Sequence, residues 1–314
     1  MTQPDSLEFK LVDAFAFSPY SGNVAGVIMQ ADDLTDRQMQ LIAREFNASE
    51  TTFILQPTVR DAAVRFRWFT PGCEVGFCGH ATLGAVHALL EAGRFAHALK
   101  EPGTVLPIET KSGILTIRTE LHTDPPGTYT IWLDTPHSEP KRAYVPVPLV
   151  VRFLNLDPTM VDPRITAVRT QDDDVIIGVR DLPTLLGLEP PMAELGRWCR
   201  KEGVRGVCVT TTNVLSAATA AQSRFFAPAA GVDEDPVTGS VHGPLGLHLV
   251  ECGLVPLIDG RANFLCAQAK AGGRAGIVHV VVSQTSGGQK HVRVGGRCVT
   301  TAGGTLRQLP SASE

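Results

Sequence analysis

Residues 69–93 read FTPGCEVGFCGHATLGAVHALLEAG, and residues 226–253 read FAPAAGVDEDPVTGSVHGPLGLHLVECG. Gly79 pairs with Gly239 and Gly93 with Gly253 at one constant offset. Phe69 and Pro71 pair with Phe226 and Pro228 once a short insertion in the second copy is allowed. Upstream, LIAREFNASETTFIL (41–55) and LGRWCRKEGVRGVCV (195–209) share an order of helix, turn and strand, an alignment that sets Glu50 against Val204. Two long copies in the same order predict a duplicated domain; a solenoid needs three or more short repeats.

Local signals fill in each copy. Thr35 and Gln38 form a capping-box pattern, Met39, Ile42, Ala43 and Phe46 fall on one helical face, and Asn47 suits a C-cap. Thr51–Leu55 and Val64–Phe69 carry the β-branched and aromatic residues of strands. His80 to Leu90 reads as a helix apolar almost all round, hence buried on most sides, with Gly93 ending it. Further strands are expected around Ile108–Glu120 and Tyr129–Leu133. In the second half they are expected near Ile165–Arg169, Val175–Val179, Val204–Thr210, Arg224–Phe226, Ile277–Ser283 and Val292–Val294. Helices are expected near Met192–Arg200 and after Ser240. Each half is thus an α/β domain of many strands around one central buried helix. The Pro-rich stretch Thr135–Pro148 divides residues 1–140 from 141–314, the last strands being free to cross back. The run Asp172-Asp173-Asp174 reads as a solvated turn.

The whole chain bounds the function. Its 314 residues suit two domains, and 43% hydrophobic with 19% charged residues is an ordinary globular balance. A net charge of −4 without a basic block argues against nucleic acid. The opening MTQPDS lacks a basic and then apolar export signal, and no apolar run reaches the roughly 20 residues that span a bilayer. Seven scattered cysteines, an odd number, suit reduced thiols in the cytoplasm.

Chemistry gathers where the repeats begin their helices. The first N–H groups of a helix have no internal partner, so each start is a candidate anion site, and Gly79 and Gly239 suit a tight turn there. Cys78 and His80 flank Gly79; Asp235, Thr238 and Ser240 lie beside Gly239; Glu50 opens a strand. A partly buried carboxylate can serve as acid or base near neutrality, and a helix start lowers the pKa of a thiol. His87 and His248 on apolar helices read as packing residues, as do Cys199, Cys208, Cys252, Cys266 and Cys298. Cys73, Cys78 and His80 lack a matching second ligand pair, so no metal is expected. No phosphate-binding glycine motif occurs.

Ser49-Glu50-Thr51-Thr52-Phe53, Phe69-Thr70-Pro71, Phe77-Cys78-Gly79-His80-Ala81-Thr82 and Glu234-Asp235-Pro236-Val237-Thr238-Gly239-Ser240 together resemble the phenazine-biosynthesis PhzF-like isomerase family. Val12-Asp13-Ala14-Phe15, Gly22-Asn23, Gln268 and Gly273-Arg274-Ala275-Gly276 fit as well, so the resemblance covers almost the whole chain. It implies a diaminopimelate epimerase-like fold: two similar domains, each a mixed β-barrel-like sheet around a central helix, with the site between them. It further implies a homodimer, no cofactor, and a small carboxylate substrate. Carried over by position, Glu50 is the general acid/base; His80, Asp235 and Ser240 orient the substrate; Asn23, Cys78, Gly79, Thr238 and Gly239 line its binding site. Val24 stands where the family usually has proline, and Thr238 stands where two-thiol racemases of this fold carry their second cysteine. Two other functions compete: an epimerase or dehydratase working through Cys78, and a non-catalytic small-acid binder or interaction protein.

Overall fold

The computed structural model describes residues 6–311 apart from 102, 124, 136–137, 142, 215 and 270–271. The reading of an absent export signal rests on residues outside that set, and the Pro-rich link lies partly outside it. The chain forms two compact units, residues 1–134 with 295–314, and residues 135–294.

The first unit contains β1 (Leu7–Ala14), β2 (Asn23–Ile28), α1 (Asp36–Phe46), β3 (Glu50–Leu55), β4 (Val64–Phe69), β5 (Glu74–Val75), α2 (Gly79–Glu91), α3 (Ala96–Lys100), β6 (Val105–Thr110), β7 (Gly113–Thr123) and β8 (Pro126–Asp134). The second contains α4 (Val147–Phe153), β9 (Val168–Arg169), β10 (Val175–Gly178), α5 (Leu182–Leu186), α6 (Met192–Glu202), β11 (Val207–Thr211), β12 (Thr219–Ala227), β13 (Val232–Asp235), α7 (Gly239–Glu251), β14 (Arg261–Ala269) and β15 (Ala275–Gln284). Strand β16 (Lys290–Gly296) ends in the first unit, which β17 (Cys298–Leu306) completes. No helix among the described residues is long and apolar enough to cross a membrane.

The pairings repeat the duplication strand by strand. In the first unit β2/β3 is parallel, β3/β4 and β4/β5 antiparallel, β4/β6 parallel and β6/β7 antiparallel. In the second, β10/β11, β11/β12, β12/β13, β12/β14 and β14/β15 run through the same sequence of directions. Helix α2 is buried at every residue from His80 to Leu90 and touches β1, β2, β3, β8 and β17. Since β17 and β8 lie far apart in the ladder order, contact with both means that the sheet curls around the helix. Gly84 faces β1 and β2, and a Cβ there would lie in ordinary van der Waals contact with Ala25 and Val12, 3.4–3.5 Å away. Outside the sheet, Met39, Ile42 and Ala43 of α1 pack on Ile28, Phe53 and Phe69. In the second unit, Leu195 and Trp198 of α6 pack with Val150, Leu185, Val175 and Val207.

Capping accounts for the ends. Thr35 accepts from the Gln38 N–H, and the Gln38 side chain answers at the Thr35 N–H, so the expected box is complete. Asn47 ends α1 in the left-handed conformation, φ 50°. Gly203 does the same for α6 at φ 63°, and the N–H groups of Gly203 and Val204 both donate to the Cys199 carbonyl.

That cap corrects one alignment. Val204 belongs to the end of the helix, and β11 starts only at Val207. Counting from the left-handed caps, or from Phe69 opposite Thr51 and Phe226 opposite Val207, sets Glu50 against Gly206. Likewise Ile165 leaves the ladder: its N–H turns back to the Asp162 carbonyl, and its side chain fills the space over Gly178, where a Cβ would lie 2.4 Å away.

The two central helices share a further device. Thr82 donates its hydroxyl to the Cys78 carbonyl at 2.6 Å, and His242, at the same position of α7, places Nδ1 2.8 Å from the Thr238 carbonyl. That contact puts the ring proton on Nδ1 and leaves Nε2, fully buried, without a hydrogen-bond partner among the described residues. Burial pulls the His242 pKa down from 6.5 to about 4. The unfolded chain therefore binds a proton in this window that the folded chain refuses, and stability falls as pH drops from 6.5 to about 4. We expect His242→Thr, which imports the arrangement of α2, to flatten that part of the urea-midpoint-versus-pH curve; an unchanged slope would assign the dependence to other groups.

Candidate active site

In the first unit the site is built from three chain segments. Gly22 sits at φ 66°, with room for no side chain, since a Cβ would lie 2.1 Å from the Ala14 carbonyl oxygen. It turns the chain so that Asn23 opens β2 with its side chain buried. Val24 takes a regular ladder place opposite Asp13. Glu50 opens β3 just after the α1 cap, and His80 is the second residue of α2. Glu50 Oε2 lies 3.3 Å from His80 Nε2. On the other edge of the ring, His80 Nδ1 lies 3.5 Å from Cys78 Sγ and 3.5 Å from Asn23 Nδ2. The Ser49 hydroxyl donates to Asn23 Oδ1 at 3.3 Å. Asn23, Glu50, Cys78 and His80 thus form one contact cluster, at the mouth of a helix whose first turn carries no acidic residue.

Gly79, expected to suit a tight turn, is instead the first residue of α2 without a left-handed φ, and a Cβ there would meet nothing closer than 3.9 Å. What the glycine provides is an uncovered backbone at the helix start, where N–H groups can reach an anion.

The ligand atoms of Glu50, Cys78 and His80 lie within 4.8 Å of one another, close enough to raise the question of a metal. The order of contacts favours a proton path instead. Thiol and carboxylate meet opposite nitrogens of one imidazole, whereas a shared ion draws on only one of them. Cys73 is exposed and lies 3.7 Å from the Thr70 hydroxyl.

The second unit repeats the frame with other chemistry. Thr238 precedes α7 as Cys78 precedes α2. Its hydroxyl donates to Asp235 at 2.5 Å, and its N–H donates to Gln268 Oε1 at 2.9 Å. Gln268 Nε2 returns to the Asp235 carbonyl at 2.8 Å, so this one amide clamps the loop between β13 and the helix. Ser240, in the place of His80, accepts from Arg205 Nη2 at 3.0 Å. Arg205 also grips Asp174 through Nε and Nη2. The acidic run therefore departs from the expected solvated turn: Asp173 pairs with Lys141 and Arg169, and Asp174 is buried on Arg205. Burial drives the Asp174 pKa up while Arg205 pulls it down.

Sequence reasoning gave Arg205, Asp174 and Gln268 no role. The signal for Gln268 was its place in a matched motif, but its partner lies thirty residues away. Glu234 is also structural: Arg224, buried, bonds it through Nε and Nη2 and turns Nη1 to the carbonyls of Leu185, Leu186 and Leu188. His87 bonds Tyr129 and Glu91, and His248 bonds the Thr166 carbonyl, so both are packing residues. Cys199, Cys208 and Cys266 are buried, whereas Cys252 and Cys298 are partly exposed. Burial pushes the Cys199 thiol up to about 11 and Cys266 up to about 12.

Residues 12–304 match the family described as phenazine biosynthesis-like protein. An uncharacterized isomerase of Clostridium acetobutylicum is 34% identical over 300 residues, covering 92% of this chain and 94% of the relative. A solved PhzF-family phenazine biosynthesis protein from Bacillus anthracis is similar at TM-score 0.83 and 26% identity, covering 96% of this chain and 99% of that one. A hydroxyproline epimerase from Agrobacterium vitis, with bound trans-4-hydroxy-L-proline, shares the fold at TM-score 0.57 and 15% identity, covering 98% and 92%. These likenesses agree with a mixed α/β fold of the diaminopimelate epimerase type, duplicated as the ladders describe.

The Arg224–Glu234 pair gives a direct test of the frame. Removing one partner of a buried pair strands the other charge, so Glu234→Gln should lower stability by about 3–5 kcal/mol in urea unfolding. The corresponding change in the more exposed Lys290–Glu251 pair, Glu251→Gln, should cost no more than about 1 kcal/mol.

Proposed function

Because this chain belongs to the phenazine biosynthesis-like protein family, and several curated relatives are named uncharacterized isomerases, we propose that it shifts a proton on a small carboxylate substrate with Glu50 as the single acid/base. The observation that carries this reading is the Glu50–His80 contact of 3.3 Å beside the α2 start, set against Gly206 at the matching place in the other repeat. At this place one half offers a base and the other a glycine.

On this reading Glu50 takes a proton from a carbon activated by the neighbouring conjugated or carboxylate group. Negative charge then builds on substrate oxygen, and helix N–H groups at Gly79 and Gly239 stabilise it. The same carboxyl group returns the proton at another carbon. His80, through Nε2, holds Glu50 in place, and Asp235 and Ser240 orient the substrate, with Asn23, Cys78 and Thr238 completing the lining. Proton transfer moves no net electrons, so the proposal needs no redox cofactor, and the family resemblance implies none of any other kind. It extends to a homodimer on the same resemblance, and to a cytoplasmic location on the seven cysteines in reduced form.

A second reading draws on one observation, Cys78 Sγ at 3.5 Å from His80 Nδ1. There the thiol, deprotonated by the imidazole, is the base of an epimerase or dehydratase.

Incubation with a panel of small carboxylates in deuterated water, followed by mass spectrometry, separates the two. Glu50→Gln should lose label incorporation by about 100-fold or more, the usual worth of a general base, while Cys78→Ser retains most of it. Full incorporation by Glu50→Gln would sink the Glu50 reading. Loss confined to Cys78→Ser would establish the thiol.

A further inference from the structure

The second repeat leaves a place without a base but fills the adjacent one with a cation. Counting from the left-handed caps Asn47 and Gly203, Ser49 of the first unit corresponds to Arg205 of the second. We infer that Arg205 is an anion-binding residue, which with Ser240 holds a carboxylate group of the substrate.

The comparison with Arg224 carries the argument. Both are arginines of the second unit paired with a buried acid. Arg224 has every nitrogen bonded within the protein, and its side chain is 4% exposed. A purely structural arginine looks like that. Arg205 spends Nε and Nη2 on Asp174, which is 1% exposed, yet its own side chain is 37% exposed and Nη1 has no hydrogen-bond partner among the described residues. The guanidinium is therefore fixed from behind and open in front. A planar fork held in that way takes a carboxylate without first losing rotamer freedom.

Ser240 adds the second contact. Its oxygen already accepts from Arg205 Nη2 at 3.0 Å, so its own O–H proton is left to donate elsewhere. A cation on the oxygen strengthens that donor. One carboxylate oxygen on Nη1 and the other on the Ser240 hydroxyl would satisfy both. Asp174 cancels the charge of Arg205, and the Asp172 and Asp235 carboxylates also act on it, so selection here works by fit and hydrogen bonding and not by net attraction. The adjoining start of α7 adds favourable dipole but is not the basis of the inference.

This assignment deepens the proposed function and rests on it, since it names the end of the substrate that the second unit holds. Benzoate is a suitable probe: planar, singly charged and without other polar groups. Benzamide is its neutral isostere. Arginine side-chain NMR at constant ionic strength identifies the Arg205 signals by their loss in Arg205→Lys. Benzoate should move them saturably and benzamide should not. Arg205→Lys, which keeps the charge but loses the fork, should weaken benzoate about tenfold, the loss of about one charge-assisted hydrogen bond, and Ser240→Ala should weaken it several-fold. If the Lys variant does not fold, the wild-type titration with assignment by Ser240→Ala perturbation decides. Unmoved Arg205 signals, or equal benzoate affinity in a folded Arg205→Lys protein, would overturn the inference. The base is tested separately, by label incorporation in Glu50→Gln, so either idea can fail alone.

Discussion

A helix that is apolar on every side cannot rest on one face of an open sheet, because its outer face would stay in water. From His80 to Leu90 the first central helix has no exposed residue, and the strands answer by bending until β17 and β8 both reach it. The second central helix sets the same condition and is buried almost throughout. The candidate site follows from this. A helix sheathed along its length has only its ends to offer, and its N-terminal end carries the unbonded N–H groups. Glu50 and His80 meet there because the strand bearing Glu50 is one of those wrapped against the helix.

The same constraint explains what could be read from the sequence. A nearly continuous apolar stretch between paired glycines is visible without a structure, and so is the capping box at Thr35. The duplicated fold and the helix starts were legible for that reason. The registers were less so. Val204 looks like the first residue of a strand, since it is β-branched and precedes another apolar run. It belongs instead to the helix cap, because Gly203 turns left-handed and sends two N–H groups back to Cys199. Nothing in the pattern of apolar residues marks that lag.

Polar partnerships were the other blind spot. Three adjacent aspartates look like a solvated turn, and Asp172 is exposed, but the next two are held by cations from distant segments. Gln268 clamps Thr238 across a whole helix and a strand. Such pairs depend on which strands end up as neighbours, so they appear only once the ladders are known.

Gly206 also limits what the family frame can become. A Cβ at this position would lie 2.4 Å from the Phe225 ring, itself buried in the strand opposite. A two-base, mirror-symmetric catalyst therefore cannot arise here by one codon change. The aromatic ring must first be given up, at a cost typical of emptying a core position, about 3–5 kcal/mol, before any acid could be gained. That intermediate is poorer in stability and no better in chemistry. The lopsidedness of the two halves is thus guarded by an evolutionary barrier.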